Sequence, residues 1–250
     1  MVFNLFRSGS RASAAKPPEG TVVYAVGDIH GCLTLLRKLE TQIREDMATR
    51  TASRRVLVFL GDYVDRGPDS RGVIEHFLKE PLPGCETVHL AGNHDRWMLA
   101  FLEDPEVGPP WLRNGGGDTL ASYGLRVPSA DQSGGIAKAQ QAFREALPSS
   151  HKAFLERLQV SHVEGDYFFA HAGVRPGVPL EEQSERDLTW IREEFLYSEA
   201  DFGKVVVHGH TPSHTPEVFR NRIGIDTGAF MSGKLTALVL DGSKRSFLHS

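Results

Sequence analysis

Three times before residue 100, an apolar, β-prone run stops at a polar turn carrying glycine and is followed by apolar residues at helical spacing. The run Thr21–Val26 (TVVYAV) leads into GDIHG at 27–31, and then Leu35, Leu36, Leu39, Ile43 and Met47 recur on one helical face. The run at 55–60 leads into GDYVDRG at 61–67, with Val73, Ile74, Phe77 and Leu78 marking a helix over 70–80. The run at 86–90 leads into AGNHD at 91–95 and then Trp97, Met98 and Phe101. Strand, turn and helix in strict alternation predict an α/β fold with its polar turns gathered at one sheet edge. In open α/β sheets that edge is where ligands bind. Two carboxylates, Asp62 and Asp65, and the Arg66 guanidinium reach it within five residues. Burying such carboxylates without a counter-ion is costly, so a cation is expected beside them.

The pattern then loosens. Residues 104–135 are rich in Gly, Pro and Ser and read as an irregular region able to flank a pocket. Helical patterns return over 136–147 and 150–158. Runs at 159–163 and 167–170 around Glu164-Gly165-Asp166 read as a hairpin, the second ending in HAG at 171–173. A helix over 187–197 contains Trp190, Ile191 and Arg192, and a strand at 204–207 ends in HGHTP at 208–212. Runs at 217–220, 223–226 and 235–240 read as a closing antiparallel meander. With neither internal repeat nor linker after residue 20, we expect a single catalytic domain over 20–250. It follows a flexible tail over 1–19 that lacks the apolar core of a signal peptide. Arg7, Arg11 and Lys16 in that tail read as solvated charges rather than a docking segment.

Composition narrows the partners. A net charge of −4 gives no bulk attraction to nucleic acid or to an anionic membrane. No apolar run reaches the roughly 18 residues of a membrane span. Two cysteines, Cys32 and Cys85, make no disulfide framework, which suits a reducing, cytoplasmic setting, and Cys32 reads as a buried thiol. The oligomeric state is left open.

Five strand ends carry Asp, Asn or His beside glycine: Asp28 and His30; Asp62 and Asp65; Asn93 and His94; His171; His208 and His210. Any one of them is ordinary turn chemistry, since Asp and Asn favour turns and helix caps. Together, mixed oxygen and nitrogen donors describe a metal cradle. Asp28 and His30 lie two apart and project to one side. Oxygen and nitrogen donors without thiolate fit manganese, iron or zinc. Two divalent ions outweigh two carboxylates and a hydroxide, so the site stays attractive to a phosphate dianion. Alternation does not choose between His208 and His210.

GDIHG, GDYVDRG, GNHD (92–95), HAG and GHT (209–211), in this order over residues 22–230, resemble the phosphoprotein phosphatase family within the calcineurin-like metallophosphoesterases, bacterial and phage members especially. The resemblance implies two mixed β-sheets sandwiched by helices and a site holding two divalent ions, manganese by resemblance. It implies Asp28, His30 and Asp62 on the first ion and Asp62, Asn93, His171 and His210 on the second, with a bridging hydroxide attacking phosphorus directly. His94 resembles the general acid and Asp65 the carboxylate that orients it. Arg66 and Arg192 resemble the phosphate-binding arginines.

Two departures bear on substrate. Ala91 stands where many protein phosphatases have Arg, and HAG replaces His-Gly-Gly while keeping the ligand. GNHD is also familiar from symmetrical diadenosine tetraphosphatases, which tend to have Ala at the place of Asp65. The sequence therefore points first to a serine/threonine protein phosphatase acting on phosphoproteins, and second to hydrolysis of dinucleoside polyphosphates or another small phosphate ester. A non-catalytic phosphoprotein reader is disfavoured because every assigned catalytic position is filled.

Overall fold

The computed structural model describes residues 15–79, 82–127 and 134–250. Strand β1 (Thr21–Val26) is buried along its whole length. Val22, Tyr24 and Val26 pack into one apolar cluster and Val23 and Ala25 into another. Successive side chains point to opposite faces, so a strand covered on both sides must be apolar at nearly every position. That is why TVVYAV shows no polar alternation.

β1 sits at the centre of a five-stranded sheet. It pairs in parallel with β2 (Arg54–Phe59), which pairs in parallel with β3 (Glu86–His89). The helices between them are α1 (Leu33–Thr49) and α2 (Ser70–Phe77), and α3 (Asn93–Glu103) follows β3. Beyond lie α4 (Gly108–Trp111), α5 (Gly117–Ser122), α6 (Gly135–Ala146) and α7 (Ser149–Glu156). Side chains of α1, α2, α3, α6 and α7 cover the outer face of this sheet, around Tyr24, Leu57 and Phe59.

A second five-stranded sheet follows. β4 (Ser161–Glu164) and β5 (Tyr167–Ala170) form the expected hairpin. Helices α8 (Glu185–Trp190) and α9 (Glu193–Leu196) lead to β6 (Val205–His208), parallel to β5. Its outer face, Phe168, Ala170 and Val206, packs on Leu188, Ile191 and Phe195 of this helical segment. Its inner face, Tyr167, Phe169, Val205, Val207 and Ile223, meets Val23, Ala25, Val56, Val58 and Leu60 of the first sheet. The result is helices, sheet, sheet, helices: two mixed sheets sandwiched by helices.

Five expectations need revision. The closing strands are no single meander. β7 (Glu217–Val218) and β8 (Arg222–Gly224) belong to the second sheet, where β8 runs parallel to β6. β9 (Thr236–Asp241) returns to lie antiparallel to β1, and β10 (Lys244–His249) pairs with it. The helix over 187–197 breaks at Ile191 and Arg192, where Ile191 turns into the core and Arg192 stays exposed. The 104–135 region is helical over most of 105–122, with a kink where Gly115 has φ 103°. Residues 128–133 of it lie outside the described residues. Of the expected tail, residues 1–14 also lie outside them, but Ala15 is buried, its carbonyl accepts from Tyr167 Oη at 3.1 Å, and Lys16 N donates to Asp166. Cys32 is half-buried at the start of α1 rather than fully enclosed. No helix among the described residues is long and apolar enough to cross a membrane.

Candidate active site

The C-terminal ends of β1, β2 and β3 in one sheet and of β5, β6 and β8 in the other meet at one edge of the sandwich. Their loops bond to one another. His30 N donates to Asp62 O at 2.8 Å, Gly31 N to Tyr63 O at 2.9 Å, and Gly209 N to His171 O at 2.8 Å. Asp28, His30, Asp62, Asn93, His94, His171 and His210 are thereby brought together, each at most 5% exposed. Backbone strain is concentrated here. Among the described residues, the non-glycine positions with positive φ are His30, Asp62, Asp65, Arg66 and His210, at 45° to 73°. Such a conformation costs roughly 1–2 kcal/mol per residue and persists where surrounding bonds enforce it. Close approach fixes two glycines: a Cβ on Gly92 would strike the Asp62 carboxylate, and one on Gly209 the Asp28 carboxylate.

Two groups of ligand atoms lie within 4.8 Å of one another: His30, Asp62 and His94, and Asp62, His171 and His210. Asp62 belongs to both. Whether a cation fits is decided by the protons. His171 Nδ1–H donates to Leu60 O at 2.9 Å, so Nε2 of the neutral ring carries a lone pair. That nitrogen faces Asn93 Oδ1 at 3.0 Å and Asp62 Oδ2 at 3.4 Å. Three acceptors thus converge with no hydrogen among them, an arrangement that a cation stabilises. His210 Nδ1 lies 3.1 Å from the same nitrogen, and its buried Nε2 has no hydrogen-bond partner. Burial lowers the pKa of His171, of His210, and of His30, the last to about 3, so all three rings are neutral. Burial pushes Asp62 up, but its Oδ1 accepts from His94 N at 2.9 Å, a bond that favours the ionised carboxylate. Neutral imidazoles around an ionised carboxylate are the protonation states that divalent-ion binding requires. Asp28 stands beside these groups rather than in them. Both its oxygens accept from His210 N at 3.1 Å, and burial, then Asp226 and Asp62, raise its pKa well above the usual carboxylate range. His208 points elsewhere: its Nε2 meets Arg222 Nη1 at 3.3 Å, and its ring packs against Phe195.

His94 Nδ1–H donates to Asp65 Oδ2 at 2.7 Å. Burial alone would lower the His94 pKa, but the Asp62 charge and the Asp65 hydrogen bond raise it above its ordinary value. Asp65 does not cap α2; Asp69 does, accepting from Gly72 N. Instead Asp65 is fully buried and held by the 105–122 segment: Trp111 Nε1–H donates to its Oδ2 at 2.8 Å and Thr119 Oγ1–H to its Oδ1 at 2.6 Å. The stretch expected to border a pocket therefore fixes the carboxylate behind His94. Trp111→Phe removes one donor to a charged group, worth about 1.5–3 kcal/mol. If that loss falls on the transition state, kcat on phenyl phosphate, a poor leaving group, drops about tenfold to a hundredfold. An unchanged rate in a variant with a native melting temperature would mean that Trp111 does not position Asp65.

Arg66 Nη1 and Nη2 reach His30 Nε2 at 3.2 Å and His94 Nε2 at 3.1 Å, and its guanidinium lies 5.0 Å from the Phe230 ring centre. Arg192 is exposed beside the residue after His210, with Nη1 3.3 Å from Thr211 Oγ1. Three further groups were not singled out from sequence. Asp95 is buried and accepts from Asp62 N, Tyr63 N and Gly92 N, tying two loops together. Burial and the Asp62 charge push its pKa up to about 8. Asp226 ends β8 as Asp28 ends β1; IGIDTG repeats the apolar-run-then-Asp signal, hidden by its assignment to the meander. Trp111 carries no such signal. A hollow of about 590 Å³ bordered by Phe77, Cys85, His89 and Phe154 lies away from all these groups.

A sequence model of calcineurin-like phosphoesterases matches residues 21–231. The chain is 28% identical over 234 residues to the asymmetrical bis(5'-nucleosyl)-tetraphosphatase PrpE of Oceanobacillus iheyensis, covering 85% of this chain and 86% of that protein. A solved structure provisionally assigned as a diadenosine tetraphosphatase superposes with a TM-score of 0.60 at 24% identity, covering 94% of this chain and 96% of that one. A cold-active protein-tyrosine phosphatase of a psychrophilic Shewanella gives 0.55 at 16% identity over 96% and 84%. At these identities both structures share the fold.

Proposed function

This chain belongs to the calcineurin-like phosphoesterase family, and we propose that it hydrolyses bis(5'-nucleosyl) tetraphosphates. Water attacks a phosphorus of the bridge, one P–O–P bond breaks, and diadenosine tetraphosphate yields ATP and AMP. The resemblance to PrpE, sustained over most of both chains, carries this reading. It favours the asymmetrical cut over the symmetrical one expected from GNHD, and a dinucleotide over a phosphoprotein. The charge layout is compatible with it: Arg66 reaches His30 and His94, and Arg192 stands beside Thr211, next to His210, each with a guanidinium fork that matches phosphate oxygens.

Asp28, His30 and Asp62 would hold one divalent ion and Asp62, Asn93, His171 and His210 the other; manganese is our choice, and iron or zinc suits the same donors. When bound, such ions supply Lewis acidity and an acidified water. The chain's own residues do the rest. Arg66 and Arg192 bind non-bridging phosphate oxygens. A phosphate draws Arg66 away from His94, freeing Nε2 to carry a proton toward the departing oxygen, while Asp65 holds the ring by Nδ1–H.

That His94–Asp65 pair supports a second reading, serine/threonine protein phosphatase, because an alkoxide leaving group needs a proton and a phosphate one scarcely does. The test is kcat/KM with manganese on diadenosine tetraphosphate and on a phosphoserine peptide, with products separated by chromatography. We expect the dinucleotide to lead by about tenfold or more and to give ATP and AMP. A lead for the peptide would hand the assignment to the second reading.

A further inference from the structure

Beside the cradle lies a cleft of about 540 Å³ lined by Arg186, Trp190, Ile191, Arg192 and Glu193, and by Asp187 and Glu194, both of which Arg175 pairs. Trp190 is 38% exposed, so part of its side chain stays open to solvent. Its orientation is fixed on the inner side. Its ring meets Trp97 edge to face at 4.8 Å and 76°, and Trp97 meets His94 in the same manner at 5.4 Å and 83°. Trp190 also lies 6.2 Å from the His210 ring centre. An aromatic wall therefore runs from the general-acid position past one end of the ligand set to the surface. Trp190 is the last residue of α8, so Arg186, four residues earlier, shares its helical face. Ile191 turns the chain, and Arg192 follows beside Thr211.

We propose that this cleft is the nucleoside subsite: a nucleobase stacks on Trp190 while Arg186 and Arg192 bind phosphates beyond the one under attack. This deepens the tetraphosphatase reading and rests on it. A phosphate site alone needs cations and no exposed indole. A half-exposed, pre-oriented indole beside two arginines matches a ligand with a flat π-face joined to several phosphates. Stacking tolerates any base, so the subsite selects for nucleosides as a class rather than for adenine.

The test compares wild type, Trp190→Ala and Trp190→Phe on diadenosine tetraphosphate and on inorganic tetraphosphate, which has the phosphates and no base. Trp190→Ala is expected to raise KM for the dinucleotide about tenfold or more beyond any rise it causes for tetraphosphate, with kcat little changed. Trp190→Phe recovers most of the loss. AMP affinity, measured by calorimetry without turnover, falls in parallel for Trp190→Ala. Equal losses on both substrates, or an unchanged KM and AMP affinity, overturn the subsite. Wild-type protein that leaves diadenosine tetraphosphate intact while cleaving a phosphopeptide removes the tetraphosphatase reading and the subsite with it.

Discussion

Asp62→Ala lowers turnover by about a thousandfold or more on any phosphate substrate and brings the bound metal below two ions per chain. Asp62 is the one carboxylate common to both ligand groups, with Oδ2 at 3.5 Å from His30 Nε2 and 3.4 Å from His171 Nε2. Its neighbours keep it ionised, so it supplies negative charge between two cations that otherwise repel. Without it, the proposed second ion keeps no carboxylate and the first keeps Asp28 alone. Asp62 Oδ1 also accepts from His94 N at 2.9 Å, so the same change loosens the loop carrying His94. Metal content by mass spectrometry and kcat on the same sample check this, with circular dichroism confirming the fold. Two ions and full activity in Asp62→Ala would falsify the shared-ligand geometry.

His94→Asn separates substrates by leaving group. On phenyl phosphate or a phosphoserine peptide, where a phenoxide or alkoxide departs, the loss should be about a hundredfold to ten-thousandfold in kcat. On diadenosine tetraphosphate, where a phosphate oxygen departs and its conjugate acid is stronger, the loss should be far smaller. Asn keeps a group able to donate to Asp65, so that fully buried carboxylate is not left without a partner in place of His94 Nδ1. Equal losses on both kinds of substrate would show that His94 acts through charge or structure and not by delivering a proton.

Much of this was readable from the chain. Strands covered on both faces announce themselves as unbroken apolar runs, and β1 begins and ends where its sequence says. Strand-end residues of the first three units were legible for the same reason: glycine marks the turn and the strand fixes its direction. What failed depended on partners distant in sequence. β7 to β10 are too short or too mixed to reveal which sheet they join, because that is settled by pairing across the molecule. Trp111 and Thr119 reach Asp65 from 46 and 54 residues away, out of a glycine-rich stretch with no period. The α8–α9 break follows from Ile191 finding the core, a tertiary demand no local pattern encodes.

The ligand set is divided between the two sheets. Of the residues proposed to hold the ions, Asp28, His30, Asp62 and Asn93 extend from the first, and His171 and His210 from the second. A bound ion pair would rivet the two halves of the sandwich together, adding to the apolar seam between them. Occupancy and mechanical cohesion are then linked: what the ions gain by binding, the seam gains in resistance to being prised open. A change buried in that seam, far from any phosphate, would be felt first as weakened hold on the ions.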